Sequence, residues 1–223
     1  MSVKESIGWC DLTLNPIKGL CQGGCWYCYY SGKRGILRRF KQDPELRLDL
    51  SVFDKLPKAP KRIFLCSTND YWGNWVSDEW REAIRQKTQE YPHHTFQVLT
   101  KQYKNLLKYS PYPRNWWVGA TATDREQFTL ACAFLVDIKA TVIFISFEPL
   151  LQRIIMTEFG EWGKEPFNWA IIGRLTGYGH KYDPKIEWIE EIEGACNKAG
   201  IPVFEKDNLN PLLDYNRRQE FPQ

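Results

Sequence analysis

The chain has 223 residues, of which 43% are hydrophobic and 26% are charged, and its formal net charge is +3. This length fits a single domain of residues 1–223 whose core needs no disulfide bonds, and the small net charge excludes a chain that is basic throughout. The first residues are polar and no run of about 18 apolar residues occurs, so neither a secretory signal nor a membrane span is predicted. We expect a monomeric cytoplasmic protein.

Seven short apolar segments, rich in β-branched and aromatic residues, predict β-strands. They are Cys10–Leu14, Arg62–Ser67, Thr95–Thr100, Trp116–Thr121, Thr141–Phe147, Trp169–Gly173 and Ile201–Phe204. Several are apolar almost throughout, as in Val142–Ile145, which is typical of parallel strands that are covered on both faces.

Amphipathic segments between these strands predict three helices, at about 77–90, 124–138 and 185–198. Ser77 and Asp124 can cap the first two, while Pro184 is expected just inside the start of the third and Gly200 beyond its end. Strands that alternate with helices indicate a parallel sheet or barrel. Because a closed barrel needs eight strands, we predict an α/β fold with a partial, open β/α barrel of about six to seven parallel strands.

Three of the seven cysteines, Cys21, Cys25 and Cys28, lie close together directly after the first predicted strand. Loops at the carboxyl ends of parallel strands form the usual active face of such folds. Three thiolates on one loop can bind one metal centre, and they would leave one iron of a four-iron cluster open for chemistry. Structural zinc, an electron-transfer cluster and three unliganded cysteines are the alternatives.

The spacing Cys-x3-Cys-x2-Cys, with Tyr27 before the third cysteine, resembles the cluster-binding loop of radical S-adenosylmethionine (SAM) enzymes. Other segments resemble a small phage-associated branch of that superfamily whose function is unassigned. They are Asn15–Pro16, Phe64–Ser67 with Asp70, Leu99–Lys101, Trp117–Gly119, Ser146–Leu150 and Ile171–Gly173. The similarity covers nearly the whole chain.

The resemblance implies a radical SAM type of partial barrel, in which Cys21, Cys25 and Cys28 bind a [4Fe–4S] cluster and SAM binds the fourth iron. An external electron donor of the flavodoxin or ferredoxin type would reduce the cluster. SAM would then be cleaved to methionine and a 5′-deoxyadenosyl radical that abstracts hydrogen from an unidentified substrate. The protein would hold SAM, orient the substrate and exclude quenching groups.

Polar residues at the predicted strand ends are candidates for binding SAM. The superfamily often has a Gly-Gly-Glu-like patch after the second strand, where this chain has Ser67, Asn69 and Asp70 instead. Asn69 and Asp70 can accept hydrogen bonds from an ammonium group, although a turn or a helix cap is the alternative. The other predicted cofactor-binding residues are Tyr27, which the resemblance places beside SAM, and Thr121, Thr123, Ser146 and Gly173.

Four charged residues at strand ends are predicted to act in catalysis. A carboxylate such as Glu148 at the end of an apolar strand is costly without a partner, so we favour ligand or substrate contact over a structural salt bridge. Arg174 could bind a carboxylate or phosphate through two hydrogen bonds. Lys101 and Lys206 could contact the substrate or could be ordinary surface lysines.

The segment from Ser31 to Arg62 holds ten lysine and arginine residues against four aspartate and glutamate residues, a local excess of +6. It could meet phosphates, or it could form a solvated helix face. Together with the many aromatic residues, it would suit a nucleotide or nucleic acid substrate, with a peptide or small metabolite as the alternative. The sequence therefore predicts a radical SAM enzyme, and the alternatives are a non-enzymatic zinc-binding nucleic-acid adaptor and an iron–sulfur electron-transfer protein.

Overall fold

The computed structural model describes residues 7–31, 35–39, 41–156 and 165–223. The strands are β1 (Leu12–Leu14), β2 (Ile17–Lys18), β3 (Arg47–Leu48), β4 (Arg62–Leu65), β5 (Thr95–Thr100), β6 (Trp116–Thr121), β7 (Val142–Phe147), β8 (Trp169–Ile172) and β9 (Val203–Glu205). Seven of them form one parallel sheet in the order β1-β4-β5-β6-β7-β8-β9, and β2 pairs with β3 in a small antiparallel sheet. The main sheet curls into an open half-barrel. The predicted α/β partial barrel is therefore confirmed.

The helices are α1 (Ile36–Arg39), α2 (Asp78–Gln89), α3 (Arg125–Leu135) and α4 (Ile186–Ala199). The predicted caps of α2 and α3 are confirmed. Ser77 accepts a hydrogen bond from the Trp80 N–H at 3.2 Å, and Asp124 accepts one from the Gln127 N–H at 2.9 Å. Among the described residues, no helix is both long and apolar enough to cross a membrane.

The predicted range 185–198 of α4 is one residue off at each end, and Pro184 lies outside the helix. Gly200 ends the helix with φ 67°, a left-handed conformation that glycine adopts without steric cost. At the start, Lys185 is the N-cap and keeps an extended backbone, with φ −73° and ψ 145°. Pro184 therefore lies before the helix rather than inside it, and Ile186 is the first helical residue.

The inside of the half-barrel is filled by an interior cluster of large side chains. Its buried members are Trp9, Cys10, Val142, Phe144, Trp169, Ile171 and Phe204. The ring of Trp169 lies 5.4 Å from that of Phe144 and 5.5 Å from that of Trp117, while Trp9 lies 4.7 Å from Phe64. Because Trp9 precedes β1 and Trp117 and Trp169 lie at the starts of their strands, the cluster fills the amino end. The predicted polar site residues therefore lie at the opposite end of the half-barrel, at the carboxyl ends of the strands. We call this end the mouth.

Gly119 in β6 makes room for the interior cluster, and its replacement by alanine is expected to destabilise the fold. A Cβ at this position would lie 2.5 Å from two ring carbons of Phe144, which is fully buried and cannot swing into solvent. Overpacking of this kind costs about 1–3 kcal/mol of unfolding free energy, which urea denaturation would measure.

The matched control is Gly194→Ala in α4, where a Cβ would meet nothing within 4 Å. Alanine is favoured over glycine inside a helix by about 0.5–1 kcal/mol, so this variant should be slightly more stable than the wild type. A Gly119→Ala protein as stable as the wild type would contradict the assignment of Phe144 to a tightly packed interior.

Candidate functional site

Strand register places several of the predicted site residues on the inner face of the half-barrel. Gly119 pairs with Phe144 of the interior cluster, and two residues further along the same strands Thr121 pairs with Ser146. Because alternate residues of a strand share a face, Thr121 and Ser146 lie on the inner face above the aromatic cluster. Both are 1% exposed, so two buried hydroxyl groups lie at the bottom of the mouth.

The cysteine loop follows β2 at this mouth, and all three cysteines are half-buried. Ser31 ties the two ends of the loop together: its N–H donates to the sulfur of Cys28 at 3.2 Å, and its hydroxyl accepts from the N–H of Cys21 at 3.2 Å. Between them the N–H of Cys28 donates to the carbonyl of Cys25 at 3.1 Å, and Gly24 has φ 70°. The loop is therefore a tight turn that presents three thiols within eight residues.

Burial raises the pKa of the Cys21 thiol to about 11, so this group is protonated near neutral pH in the free protein. Binding of a metal would have to displace that proton, as is usual for thiolate ligands. Over the described part of the chain, no group of three or more His, Cys, Asp and Glu side chains stands ready to hold a metal ion. The assignment of the three cysteines as ligands stays a prediction.

Tyr27 connects the cysteine loop to the loop that follows β6. Burial raises the pKa of its phenol well above the usual range, and Cys25 and Thr123 are among the side chains that act on this phenol. The ammonium of Lys101, after β5, lies 5.7 Å from the centre of the Tyr27 ring. The structure thus brings three of the predicted site residues, Tyr27, Lys101 and Thr123, to the cysteine loop.

The loop after β4 is anchored to both the first strand and the cysteine loop. The side-chain oxygen of Asn15, just beyond β1, accepts from the Ser67 hydroxyl at 3.1 Å and from the Thr68 N–H at 3.0 Å. The hydroxyl of Tyr29 donates to the Ser67 carbonyl at 2.7 Å. Ser67 therefore has a positioning role in the structure, and a role in binding SAM stays a prediction.

Asn69 presents a hydrogen-bond donor rather than the acceptor that the sequence suggested. Its amide oxygen already accepts from the Trp75 indole N–H at 2.8 Å and from the Asp70 N–H at 3.0 Å. An amide oxygen has two lone pairs, so both are used and the orientation of the amide is fixed. The amide nitrogen is buried without a partner, in a residue that is 7% exposed.

Asp70 forms the turn that the sequence left as the alternative to a ligand. One carboxylate oxygen accepts from the Trp72 N–H at 3.0 Å, and the other accepts from the Lys101 N–H at 3.0 Å. The Thr100 hydroxyl lies 2.7 and 2.9 Å from the two oxygens. Burial raises the pKa of this carboxyl, and its bonds join the loop after β4 to the loop after β5.

Three of the four charged residues predicted for catalysis form ion pairs at the far side of the mouth. Glu148 accepts a hydrogen bond from the Lys206 ammonium, and a Cβ on Gly173 would lie 3.1 Å from both side chains. Arg174 donates to Asp183 at 2.7 Å and to the carbonyl of Asn208. The guanidinium is therefore engaged in a structural ion pair, which weakens its case as a free anion-binding group.

Sequence reasoning missed Asn208 and Asp183. The Asn208 amide donates to the Arg174 carbonyl at 2.9 Å and lies 3.4 Å from Glu148, so it links the two pairs. Asp183 accepts from Arg174 and also lies 2.6 Å from the ring nitrogen of His180. Asn208 follows the last predicted strand by four residues, and the same strand-end rule that selected Lys206 could have found it.

Two arginines of the basic segment 31–62, Arg47 and Arg62, are paired with carboxylates. Arg62 lies at the start of β4, where it pairs with Asp11 at 3.4 Å and covers the ring of Phe221 at 3.7 Å. Arg47 pairs with Asp43 at 2.8 Å. Both arginines are therefore engaged with carboxylates, which neither of the two interpretations of the sequence predicted. Lys33 and Arg34 of this segment lie outside the described residues.

The thiols of the cysteine loop are of the chemical type that binds an iron–sulfur cluster. Thiolates are the ligands of such clusters, and Gly23 packs the loop against its surroundings at ordinary distances, since a Cβ there would lie 3.4 Å from the Cys21 sulfur and 3.7 Å from the Trp75 ring. The indole N–H of Trp75 donates to the Asn69 oxygen, so Trp75 connects Asn69 to the surroundings of the loop. Buried donors need acceptors, and the carboxylate of SAM is one.

The fold and the site define an α/β half-barrel protein with a three-cysteine loop at its mouth. A family model for proteins of unknown function, DUF5131, matches residues 4–210, and the chain belongs to this family. No curated protein and no solved structure matches the chain significantly.

Proposed function

We propose that this protein is a radical SAM enzyme. The observation that carries the proposal is the position of Cys21, Cys25 and Cys28 on one tight loop at the mouth of a half-barrel of seven parallel strands. Reactive groups of parallel β/α folds gather at this end, and three thiolates leave a four-iron cluster with one open iron. The spacing of the cysteines agrees with the same chemistry.

Cys21, Cys25 and Cys28 would hold a [4Fe–4S] cluster. When bound and reduced by a flavodoxin or ferredoxin type of donor, the cluster supplies the electron that splits SAM into methionine and a 5′-deoxyadenosyl radical, which takes hydrogen from the substrate. Ser31 keeps the two ends of the loop together through its bonds to Cys21 and Cys28. This chain's part is thus to hold three sulfurs on a rigid turn.

Other residues of the mouth would bind SAM. The free amide N–H of Asn69 suits the SAM carboxylate, because it is a buried donor whose orientation is fixed by Trp75. Thr121 and Ser146 lie on the inner face, where their hydroxyls suit the ribose. Gly173 would bind SAM through its backbone after β8, next to the Glu148 and Lys206 side chains, while Tyr27 and Thr123 would position the cysteine loop against SAM.

Glu148 and Lys206 would face the substrate. They are partly exposed and hydrogen-bonded to each other, so a proton can be held between a carboxylate oxygen and an amine at the mouth. Lys101, on the other side of the mouth, lies over the Tyr27 ring and carries a positive charge toward the same opening. The interior cluster below closes the amino end, which keeps water out from that side.

Iron analysis after anaerobic reconstitution tests the proposal. The protein is expected to bind about four irons per chain and to absorb broadly near 400 nm, as a cluster with cysteine ligands does. A colourless protein that takes up zinc and no iron under the same conditions would overturn the proposal and would favour a zinc-binding module.

A further inference from the structure

Trp26 is the most exposed of the tryptophans that the structure describes, and aromatic neighbours surround it. It lies between Cys25 and Cys28 in the chain and is 50% exposed. Its ring centre is 5.3 Å from that of Tyr27, 5.5 Å from that of Tyr178 and 5.0 Å from that of Tyr182. Two loops, one after β2 and one after β8, thus meet in a single aromatic group.

Keeping so large an apolar ring half in water costs free energy, because its exposed surface gains nothing from the protein interior. Three rings around Trp26 restrict its movement, so little conformational entropy remains to be lost when a flat partner stacks on it. A rigid exposed aromatic side chain is the usual anchor of a binding surface.

Positive charges flank this aromatic group. Lys181 lies 5.0 Å from the centre of the Tyr182 ring, and Lys101 lies 5.7 Å from the centre of the Tyr27 ring. Within the described residues, neither ammonium group forms an ion pair. The nearby carboxylate of Asp183 is already neutralised by Arg174, so the net charge beside the rings is positive.

We infer that Trp26, Tyr178 and Tyr182 form a stacking platform for a nucleobase of a single-stranded nucleic acid, whose phosphates meet Lys101 and Lys181. Aromatic rings beside cations are what binding of single strands requires, since rings stack on bases and cations meet the backbone. Because Trp26 adjoins Cys25, a base stacked there would lie beside the proposed cluster. The inference names the substrate class of the proposed function and rests on that function for its chemistry, whereas the binding itself does not depend on the cluster.

Single strands fit the observations better than a duplex or a peptide. Bases inside a duplex are already stacked and offer no free face to Trp26. A peptide would use the rings but would leave the two lysines without anionic partners. Among the residues that the structure describes, Lys101 and Lys181 are the cations that border the platform, so stacking rather than charge is expected to supply most of the affinity.

Fluorescence anisotropy with a labelled single-stranded oligonucleotide of about ten nucleotides tests the inference on the full chain. We expect saturable binding with a dissociation constant between about 10⁻⁶ and 10⁻⁴ M. The logarithm of the binding constant should fall with the logarithm of salt concentration with a slope of about −1.4, because each of two neutralised phosphates contributes about −0.7. A Lys181→Gln variant should bring that slope to about −0.7.

Trp26→Ala should weaken binding at least about fivefold, whereas Trp26→Phe keeps a stacking face and should remain within about threefold of the wild type. Leu130→Ala is the control, since Leu130 is equally apolar and 41% exposed but lies on α3; it should bind as the wild type does. Circular dichroism shows that each variant is folded.

A folded Trp26→Ala protein that binds the oligonucleotide as tightly as the wild type would overturn the inference. Absence of saturable binding up to about 100 µM oligonucleotide would overturn it as well, and would leave a peptide or a small molecule as the occupant. If the protein binds iron and cleaves SAM but not the oligonucleotide, only the substrate class fails. If it binds the oligonucleotide but no iron, the proposed function fails and the platform stands.

Discussion

Replacing Cys25 by alanine is expected to abolish binding of the iron–sulfur cluster and to leave the chain folded. Two thiolates cannot hold the cluster that three would hold. The iron content after anaerobic reconstitution should therefore fall from about four irons per chain to well below one iron per chain. The cost in stability should be small, because Cys25 is half-buried and its sulfur makes only a weak contact, 3.9 Å from the Gly23 carbonyl oxygen.

Cys132→Ala is the matched control for this experiment. Cys132 is buried in α3, at 3% exposure, and lies outside the cysteine loop. Its replacement removes a small apolar group from the core and should lower the unfolding free energy by about 1 kcal/mol, yet iron binding should be unchanged. Full iron content in the Cys25→Ala protein, or an equal loss in both variants, would contradict the assignment of the loop as the cluster site.

Replacing Asp70 by alanine is expected to destabilise the protein strongly. The carboxylate accepts hydrogen bonds from the Trp72 N–H, the Lys101 N–H and the Thr100 hydroxyl. Removal leaves up to three donors without an acceptor at a cost of about 1–3 kcal/mol each, so the total should reach about 3 kcal/mol or more. Chemical denaturation gives this free energy directly.

Asp70→Asn separates the two roles that the sequence allowed for this residue. Asparagine keeps nearly the same shape but only one acceptor oxygen, and its NH2 group would face one of the two backbone N–H donors, so it should recover only part of the stability that alanine loses. If Asp70 served only to bind SAM, the alanine variant would instead be as stable as the wild type and would differ only in SAM affinity. That outcome would contradict the positioning role of Asp70 in the structure.

The strands could be predicted because their physical cause is local. Val142–Ile145 is apolar throughout, as a strand buried on both faces must be, and the cap of α2 follows from Ser77 alone. Pro184 shows the limit of local rules: a proline fixes its own φ, but the helix begins only where the backbone after Lys185 turns helical. Element boundaries depend on such tertiary detail.

The candidate site could be predicted only in outline. Strand ends indicated that Lys101, Thr121 and Ser146 would gather at one end of the sheet, since parallel strands share an edge. The partner of each side chain could not be predicted, because Glu148 and Lys206 are 58 positions apart in the chain. The contact of Trp26 with Tyr178 likewise joins two loops that only the curl of the sheet brings together.

The orientation of the Asn69 amide is another feature that the sequence does not contain. Any asparagine can accept or donate, and only the two N–H groups that face its oxygen make it a donor here. The pairing of Arg174 with Asp183 is similar, because nothing in the sequence distinguishes this arginine from one that binds a ligand. Side-chain partners, rather than residue types, decide these roles.

The most direct test is to measure 5′-deoxyadenosine after anaerobic incubation of the reconstituted protein with SAM and dithionite. The wild-type protein is predicted to release 5′-deoxyadenosine and methionine in equal amounts, and the Cys25→Ala protein is predicted to release neither. A wild-type protein that carries about four irons per chain and forms no 5′-deoxyadenosine would contradict the account and would indicate an electron-transfer protein.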